Sequence, residues 1–180
     1  MKKGLTLIIL LYLIQITQQD CISSLKQQQL ILKGNYKKVL HQQSGSVIQG
    51  AIFNQGNKGS CLKDDVYTIR DDGVSYTYCL YYTQSIKLKL MQKYLLNTLK
   101  IWLWEFDYLN NQQFRYYNLN IFANLNEEKN KIYESEYASS IIKIHFPDQL
   151  VQEFQVFNIR GNTHNTALHI IKAEAYYKFS

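Results

Sequence analysis

The chain has 180 residues, with 20 Lys and Arg against 14 Asp and Glu, so its net charge is +6 at neutral pH. This length suits one domain that buries a hydrophobic core without metal ions or disulfide staples. The lysines are dispersed and no arginine-rich run occurs, which argues against a nucleic-acid-binding protein.

The N-terminal segment has the pattern of a secretory signal peptide. Lys2 and Lys3 precede the apolar run Leu5–Thr17, which is shorter than the roughly 18–20 apolar residues of a transmembrane helix. We therefore expect a signal peptide over residues 1–20 and a secreted, cell-surface or lumenal protein without a transmembrane span in the mature chain. The alternative is a signal that stays uncleaved and anchors the protein.

An N-terminal extension over residues 21–43 precedes the predicted domain, which covers residues 44–180. The extension contains Ser24–Leu40, whose pattern fits either a short helix broken at Gly34 or a first strand. No linker or internal repeat divides the remainder, so a single domain is predicted.

Three cysteines are present, Cys21, Cys61 and Cys79. In an oxidising compartment Cys61 and Cys79 are the natural disulfide pair, because Cys21 lies beside the expected processing site. Their bond would close a loop of about 18 residues and stabilise the fold by about 3 kcal/mol. The Cys and His spacings do not match those of structural zinc sites.

The remainder of the chain has a persistent strand pattern. In Ser85–Met91, apolar Ile86, Leu88 and Leu90 alternate with lysines, which predicts one buried face. The turn Asp71–Gly73 is typical of a hairpin. Short strands at this spacing, with no long amphipathic helix, predict an all-β sandwich or barrel. The predicted strands are Val66–Arg70, Val74–Tyr82, Ser85–Met91, Tyr94–Phe106, Phe114–Phe122, Lys131–Tyr137, Ser140–Phe146 (ended by Pro147), Phe154–Arg160 and Leu168–Phe179.

Alternation assigns the buried face of two further strands and leaves that of a third open. Phe114–Phe122 is expected to turn Tyr117, Leu119 and Ile121 to the core, and the last strand to place Ile171, Ala173, Ala175 and Tyr177 on one face. The strand within Tyr94–Asp107 leaves its buried face open, because both faces are mainly apolar, as in a central strand. Its faces are Leu99, Ile101 and Leu103 on one side and Lys100, Trp102 and Trp104 on the other.

Three segments resemble the discoidin-like (coagulation factor V/VIII type C) domain, most closely the branch at the C-terminus of certain BTB-domain proteins. They are Ser85–Asp107, Phe114–Phe122 and Val156–Tyr176, and Ser75–Cys79 adds a shorter match. The motifs Trp-Glu-Phe-Asp and Thr-His-Asn-Thr occur in the same order as in that branch. The resemblance implies a galactose-binding-like jelly-roll β-sandwich of about eight antiparallel strands. It also implies a non-catalytic module.

Members of the resembled family recognise sugars, phospholipid headgroups or proteins through loops at one end of the sandwich. Here those loops correspond to residues 73–78, 107–113 and 162–166. The alternative for the last loop is that its Asn and Thr side chains satisfy backbone groups in a tight turn, which turn chemistry alone favours. The candidate ligand-binding residues are Asp107, Asn110, Asn162, Thr163, His164 and Asn165.

A structural calcium ion is the only cofactor considered. Asp64, Asp65, Asp71 and Asp72 could contribute carboxylates, but Ca²⁺ takes six or more oxygen ligands. A hairpin turn and a solvated loop account for these four residues more simply, so no cofactor is expected.

The two tryptophans, Trp102 and Trp104, could stack on sugar rings, but packing is the favoured interpretation.

Catalysis is not expected from this sequence. The four histidines lie in unrelated contexts, no nucleophile or phosphate-binding motif occurs, and Glu105 with Asp107 alone does not make a mechanism. The expected function is recognition of a glycan, a lipid headgroup or a surface protein. The alternative is a structural or protein-interaction subunit of a larger assembly without a small ligand. An exposed aromatic patch at a loop end would favour the first, and a broad apolar sheet face the second.

Overall fold

The structure is a computed structural model that describes residues 38–50, 52–53, 60–63, 67, 76–80, 85–107 and 113–178. Within these ranges no helix has the length and apolar character needed to cross a membrane. Several predictions concern residues outside these ranges. They are the signal peptide, Cys21, Asn110 and the calcium candidates Asp64, Asp65, Asp71 and Asp72.

The described part of the chain is built almost entirely of strands. A 3₁₀ turn at Gln42–Ser44 and one four-residue helix, α1 (Ser60–Lys63), are its helical elements. The strands are β1 (Val47–Gln49), β2 (Ile52–Phe53), β3 (Thr77–Leu80), β4 (Ser85–Leu103), β5 (Phe106–Asp107), β6 (Gln113–Phe114), β7 (Tyr117–Leu125), β8 (Glu128–Ala138), β9 (Ile141–Asn162) and β10 (Ala167–Tyr176).

Two long strands organise the fold. β4 and β9 pair antiparallel along almost their whole length, and the register shifts where Lys89 pairs with Glu153 and Tyr94 with Val151. With their neighbours they form one continuous eight-stranded antiparallel ladder, which the register shift divides into two sheets. The N-terminal part of β4 and the C-terminal part of β9 belong to the first sheet, in the order β8-β7-β9-β4-β1. Their other halves belong to a second sheet, in the order β9-β4-β10-β3-β2.

The two sheets pack face to face around one core. Buried residues of both sheets, such as Leu88 and Phe154 of the first and Ile101 and Ala173 of the second, belong to the same hydrophobic cluster. Each fully buried aliphatic side chain contributes about 1.5–3 kcal/mol. The predicted all-β sandwich is therefore confirmed. β5 and β6 form a separate two-stranded ribbon.

The sandwich has two distinct ends. The register places the end of β4, the start of β7, the end of β9 and the start of β10 together, and we call this the loop end. The register shift of β4 and β9 and the turn between β7 and β8 lie at the other end, which we call the bend end.

Two breaks that the sequence predicted between strands are absent. Gln92–Lys93 does not interrupt β4, and Pro147 does not end the strand that begins at Ile141. Pro147 lies where Leu96 pairs with Gln149 and Thr98 with His145, so it occupies an irregularity in the ladder. This half of β9 pairs only with β4 among the described strands. Proline is tolerated at such positions because its missing N–H is not needed there.

The buried faces follow alternation except in β10. Tyr117, Leu119 and Ile121 are fully buried in the core, as predicted. In β10 the register shifts between Ile170 and Lys172. Ile171 therefore belongs to a second cluster, whereas Ala173 and Ala175 lie in the main core. Tyr177 lies beyond the end of β10. The predicted common face was wrong because a bulge reverses the alternation.

Both faces of β4 are buried near its C-terminus. Leu99, Ile101 and Leu103 face the main core with no exposed area. Trp102 and Trp104 lie on the opposite face and pack with Ile171, Tyr67 and Tyr76. β4 is thus a central strand, and its tryptophans serve packing, which was the favoured interpretation.

The predicted disulfide between Cys61 and Cys79 is not formed in the structure. Both side chains are completely buried in the main core, Cys61 on α1 and Cys79 on β3, and no bond joins them. Burial raises the pKa of the Cys79 thiol to about 12, so this side chain stays protonated at neutral pH. The number of cysteines suggested the pair, but buried cysteines also serve as small core hydrophobes.

Candidate ligand-binding surface at the loop end

The turn between β9 and β10 is held by its own asparagines. Asn162 Oδ1 accepts from the backbone N–H groups of His164 at 2.9 Å and Asn165 at 3.1 Å. Asn162 Nδ2 donates to the carbonyl oxygen of Ala167 at 2.7 Å, and Asn165 Oδ1 accepts from Ala167 N–H at 3.0 Å. The two amide side chains thus satisfy backbone groups, the role that turn chemistry assigns to them.

The turn requires glycine at position 161, and sequence patterns did not reveal this requirement. Its φ of 82° lies in the left-handed region. A Cβ atom at this position would lie 2.6 Å from the Cα of Thr166. Backbone cannot move aside as a flexible side chain does, so only glycine fits here.

Thr163 and His164 fasten the turn to the segment that leads into β7. The Thr163 N–H donates to the carbonyl oxygen of Tyr116 at 3.0 Å, and Thr163 Oγ1 accepts from Tyr116 N–H at 3.3 Å. Thr163 Oγ1 and His164 Nε2 each lie 3.3 Å from the carbonyl oxygen of Phe114. The turn and the segment 114–116 therefore form one continuous surface.

Arg115 is the main residue that sequence analysis missed. Its side chain is buried, and Nη1 donates to Asn162 Oδ1 at 3.1 Å. Its guanidinium lies 4.3 Å from the ring centre of Trp104, and its backbone N–H donates to the carbonyl oxygen of Glu105 at 2.8 Å. The predicted loop ended at Gln113, two residues before this arginine. The sequence feature that could have identified Arg115 is its position as the first cationic residue after the Trp-Glu-Phe-Asp motif.

A cluster of aromatic rings supports the surface from below. Tyr76 stacks on Trp104 at 5.2 Å with planes 15° apart, and His169 meets Trp104 edge-on at 5.2 Å. The Tyr117 hydroxyl donates to the carbonyl oxygen of Trp104 at 2.7 Å and lies 3.3 Å from His169 Nδ1. Burial raises the pKa of Tyr117 well above its usual value, so its hydroxyl remains a donor.

Of the two carboxylates considered for catalysis, only Glu105 has a described side chain. Glu105 is buried and accepts a hydrogen bond from the Ser140 hydroxyl. Asp107 lies on β5 opposite Gln113, at the same end as the turn, and its side chain is outside the description. Within the described ranges, no three His, Cys, Asp or Glu residues converge where they could hold a metal ion.

Two aromatic rings beside Arg115 remain accessible. Phe114 is 46% exposed and Tyr116 is 40% exposed. They flank the buried arginine and lie beside the exposed Thr163 and the half-buried His164. An apolar ring surface next to hydroxyl and imidazole groups is thus presented at the loop end. Strand register places four further exposed apolar residues at this end, Leu80, Tyr137, Ile141 and Ile159.

Comparison with known proteins identifies the fold. No family model matches the chain, and no curated protein matches it. Solved structures do match, although with low sequence identity. The carbohydrate-binding module CBM32 of AlyQ, in complex with 4,5-unsaturated mannuronic acid, has a TM-score of 0.53 at 14% identity, over 73% of this chain and 95% of that one.

Two proteins from Clostridium perfringens match as well. The family 32 carbohydrate-binding module of NanJ, in complex with galactose, has a TM-score of 0.53 at 16% identity, over 77% of this chain and 96% of that one. A family 89 glycoside hydrolase has a TM-score of 0.54 at 17% identity over 79% of this chain, which spans 15% of that enzyme. The closer resemblance to the BTB-protein branch stays a prediction. The chain has the galactose-binding-like, or discoidin-like, β-sandwich fold.

Proposed function

We propose that this protein is a non-catalytic carbohydrate-binding module that acts outside the cell or in a secretory lumen, with its ligand surface at the loop end. The observation that carries the proposal is the exposure of Phe114 and Tyr116 on both sides of the buried Arg115. An exposed aromatic ring with polar groups beside it suits a sugar, because a sugar ring has apolar faces and polar edges.

The rigidity of this surface supports a binding role. Hydrogen bonds from Thr163 and His164 fix the backbone of Phe114 and Tyr116, and Arg115 anchors the segment to Asn162 and Trp104. A surface that is ordered before binding loses little conformational entropy when a ligand arrives. Loop residues held by a rigid scaffold are a usual place for recognition.

The known neighbours support the same ligand class. One of the matching modules is in complex with galactose and another with an unsaturated mannuronic acid. These ligands differ in charge, so the fold alone does not select a particular sugar. The engagement of Glu105 by Ser140 supports a non-catalytic role, because the carboxylate is committed to a structural contact.

A glycan array with the secreted protein, in the presence and absence of Ca²⁺, tests the proposal. We expect binding to at least one class of glycan, and we expect the double variant F114A/Y116A to lose it. M91A is the control, because Met91 is an apolar residue that is even more exposed than Phe114 and Tyr116 but lies at the bend end. An array without any binding would overturn the proposal and favour a structural subunit. Binding unaffected by F114A/Y116A would place the ligand elsewhere.

A further inference from the structure

The outer face of β7 continues the loop-end surface into the first sheet. Burial alternates from Tyr116 onwards, and the side chains of Tyr117 and Leu119 lie in the core. Tyr116, Asn118 and Asn120 lie on the opposite side, where Tyr116 is exposed and both asparagines are half-buried. We call these three residues the outer row. Alternate residues of a strand are about 6.8 Å apart, so the outer row is about 14 Å long.

β8 carries an extra residue beside the outer row. β7 advances by two residues where β8 advances by three, so Glu136 and Tyr137 together oppose Asn118. Such bulges re-aim side chains and are over-represented at sheet edges and next to active sites. β8 is an edge strand of the described sheet, but edges are protected by charged residues rather than by exposed rings. Tyr137 is 73% exposed, so edge protection does not account for it.

β9 has a larger bulge on the other side of the outer row. β7 advances by one residue, from Asn118 to Leu119, where β9 advances by three. The two extra residues are Ile159 and Arg160, and both are exposed. The outer row is thus flanked by a bulge in each of its two neighbouring strands.

A buried asparagine holds the β9 bulge in place. Asn158 is 3% exposed, and its Oδ1 accepts from the Gly161 N–H at 2.6 Å, across the two extra residues. Its Nδ2 donates to the carbonyl oxygens of Cys79 and Thr166, both at 3.0 Å. Because three hydrogen bonds from one buried side chain fix this bulge, the exposed residues 159–160 have a defined position beside the outer row.

The flanked surface has the chemistry of a carbohydrate contact. The rings of Tyr116 and Tyr137 offer apolar faces, and the amides of the outer row both donate and accept hydrogen bonds. Hydroxyl groups also donate and accept, so the two sets of groups are complementary. Glu136 and Arg160 carry opposite charges on the two sides of the row, which disfavours a ligand with charges of one sign.

We infer that the ligand of the loop-end site is a neutral linear oligosaccharide that lies along the outer row, between the two bulges. One sugar ring contacts Phe114 and Tyr116 at the loop end. The next rings contact Tyr137 and the asparagines, and Glu136 and Arg160 bind hydroxyls from the two sides. One sugar ring is shorter than this surface of about 14 Å, so a monosaccharide fills only part of it. The inference rests on the proposed function and deepens it, because it assigns the length and charge of the glycan.

Nuclear magnetic resonance titrations of the ¹⁵N-labelled secreted protein test this inference. D-galactose, D-mannose and D-glucose are compared with galactotetraose, mannotetraose and cellotetraose. We expect the tetrasaccharide of at least one series to bind about tenfold more tightly than its monosaccharide. It should cause saturable shifts at the side-chain amides of Asn118 and Asn120, and the monosaccharide should shift mainly residues 114–116.

Two variants of one residue separate chain length from the loop-end contact. Y137A should remove most of the advantage of the tetrasaccharide and leave the affinity for the monosaccharide unchanged, because Tyr137 contacts only the later rings. Y137F is the matched control, since it keeps the ring and should keep the advantage. F114A/Y116A should lose both affinities. If Y137A lowers the melting temperature, R160A on the other bulge provides the same comparison.

Each outcome distinguishes the inference from the proposed function. Equal affinities for both lengths, with shifts confined to residues 114–116 and 163–165, would overturn the inference and leave the proposed function intact. Shifts of the outer row without shifts of residues 114 and 163–165 would count against the loop-end surface instead. Silence towards all six sugars would overturn the inference, while the glycan array decides the proposed function. Concentration-dependent shifts of the outer row without any sugar would assign this face to a second copy of the chain and overturn the inference.

Discussion

Arg115 and Asn162 join two segments that are distant in sequence. Nη1 of Arg115 donates to Asn162 Oδ1 at 3.1 Å while the guanidinium lies over the ring of Trp104 at 4.3 Å. The same Asn162 oxygen accepts two backbone N–H groups of the turn. Asn162 Oδ1 therefore connects the turn to the segment before β7, and the Arg115 guanidinium extends this connection to Trp104, just after β4. The exposed rings of Phe114 and Tyr116 depend on both contacts.

Replacement of Arg115 by alanine should lower the free energy of unfolding by about 2–3 kcal/mol. A buried charged hydrogen bond and a cation–π contact are both lost. Urea denaturation measures the effect, and R160A is the control because Arg160 is exposed. R115K should recover only part of the loss, since an ammonium lacks the planar face. Equal stability of R115A and R160A would contradict this role.

Replacement of Gly161 by alanine should cost about 2–4 kcal/mol, because the new Cβ meets the backbone of Thr166. Gly45 offers a matched comparison. Its φ of 77° is similar, but a Cβ there would meet the Sδ atom of Met91 at 2.7 Å, and Met91 has an exposed, unbranched side chain that can move aside. G45A should therefore lose clearly less stability than G161A in thermal unfolding. The opposite order would contradict the backbone clash at Gly161.

Replacement of Tyr117 by phenylalanine should cost about 1–2 kcal/mol, because the buried carbonyl oxygen of Trp104 loses its donor. Chemical denaturation at neutral pH measures the change. Y177F is the comparison, since the Tyr177 hydroxyl binds Asp148 at the surface. A larger loss for Y177F than for Y117F would contradict the importance of the buried bond.

The stability of the protein should fall at alkaline pH, in part through Cys79. Its folded-state pKa is raised from 9.0 to about 12 by burial. The stability that this protonated thiol contributes is present below pH 9 and is lost as the pH rises towards 12. Urea denaturation at several pH values should show a shallower alkaline decline in C79A than in the wild type. Identical slopes would contradict the burial of the thiol.

The two cysteine thiols should also be chemically accessible only after unfolding. Both side chains have no exposed area in the structure, and only a thiolate reacts with alkylating reagents. We expect the mass of the native protein to be unchanged after iodoacetamide treatment at neutral pH, and modification of both residues in denaturant. A mass lower by two hydrogen atoms under non-reducing conditions would restore the predicted disulfide.

Local alternation was sufficient to predict most of the sandwich. Ile86 and Leu88 are buried as their spacing from the lysines predicted, and Tyr117, Leu119 and Ile121 follow the same rule. The failures lie where tertiary packing overrides the local pattern. The bulge beside Ile171 reverses a face. β4 continues through Gln92–Lys93 because the residues on both sides of this segment, up to Lys89 and from Tyr94, pair with β9.

The candidate site could be predicted only in outline. The sequence pointed to Asn162 and Asn165, whose residue types are typical of both turns and ligand contacts. It did not reveal Arg115 or the exposure of Phe114 and Tyr116, because these depend on which segment the turn contacts. Trp104 illustrates the converse case, since its residue type suggested a ligand but its position assigns it to the support beneath the surface.

Pro147 has a further consequence for the behaviour of the protein in solution. Among the described strands, the half of β9 that contains it is an edge strand of the second sheet. Edge strands can pair with strands of other molecules when their unpaired N–H and C=O groups form a regular row. Pro147 interrupts that row and the adjoining irregularity distorts it, so this edge resists the intermolecular pairing that leads to aggregation.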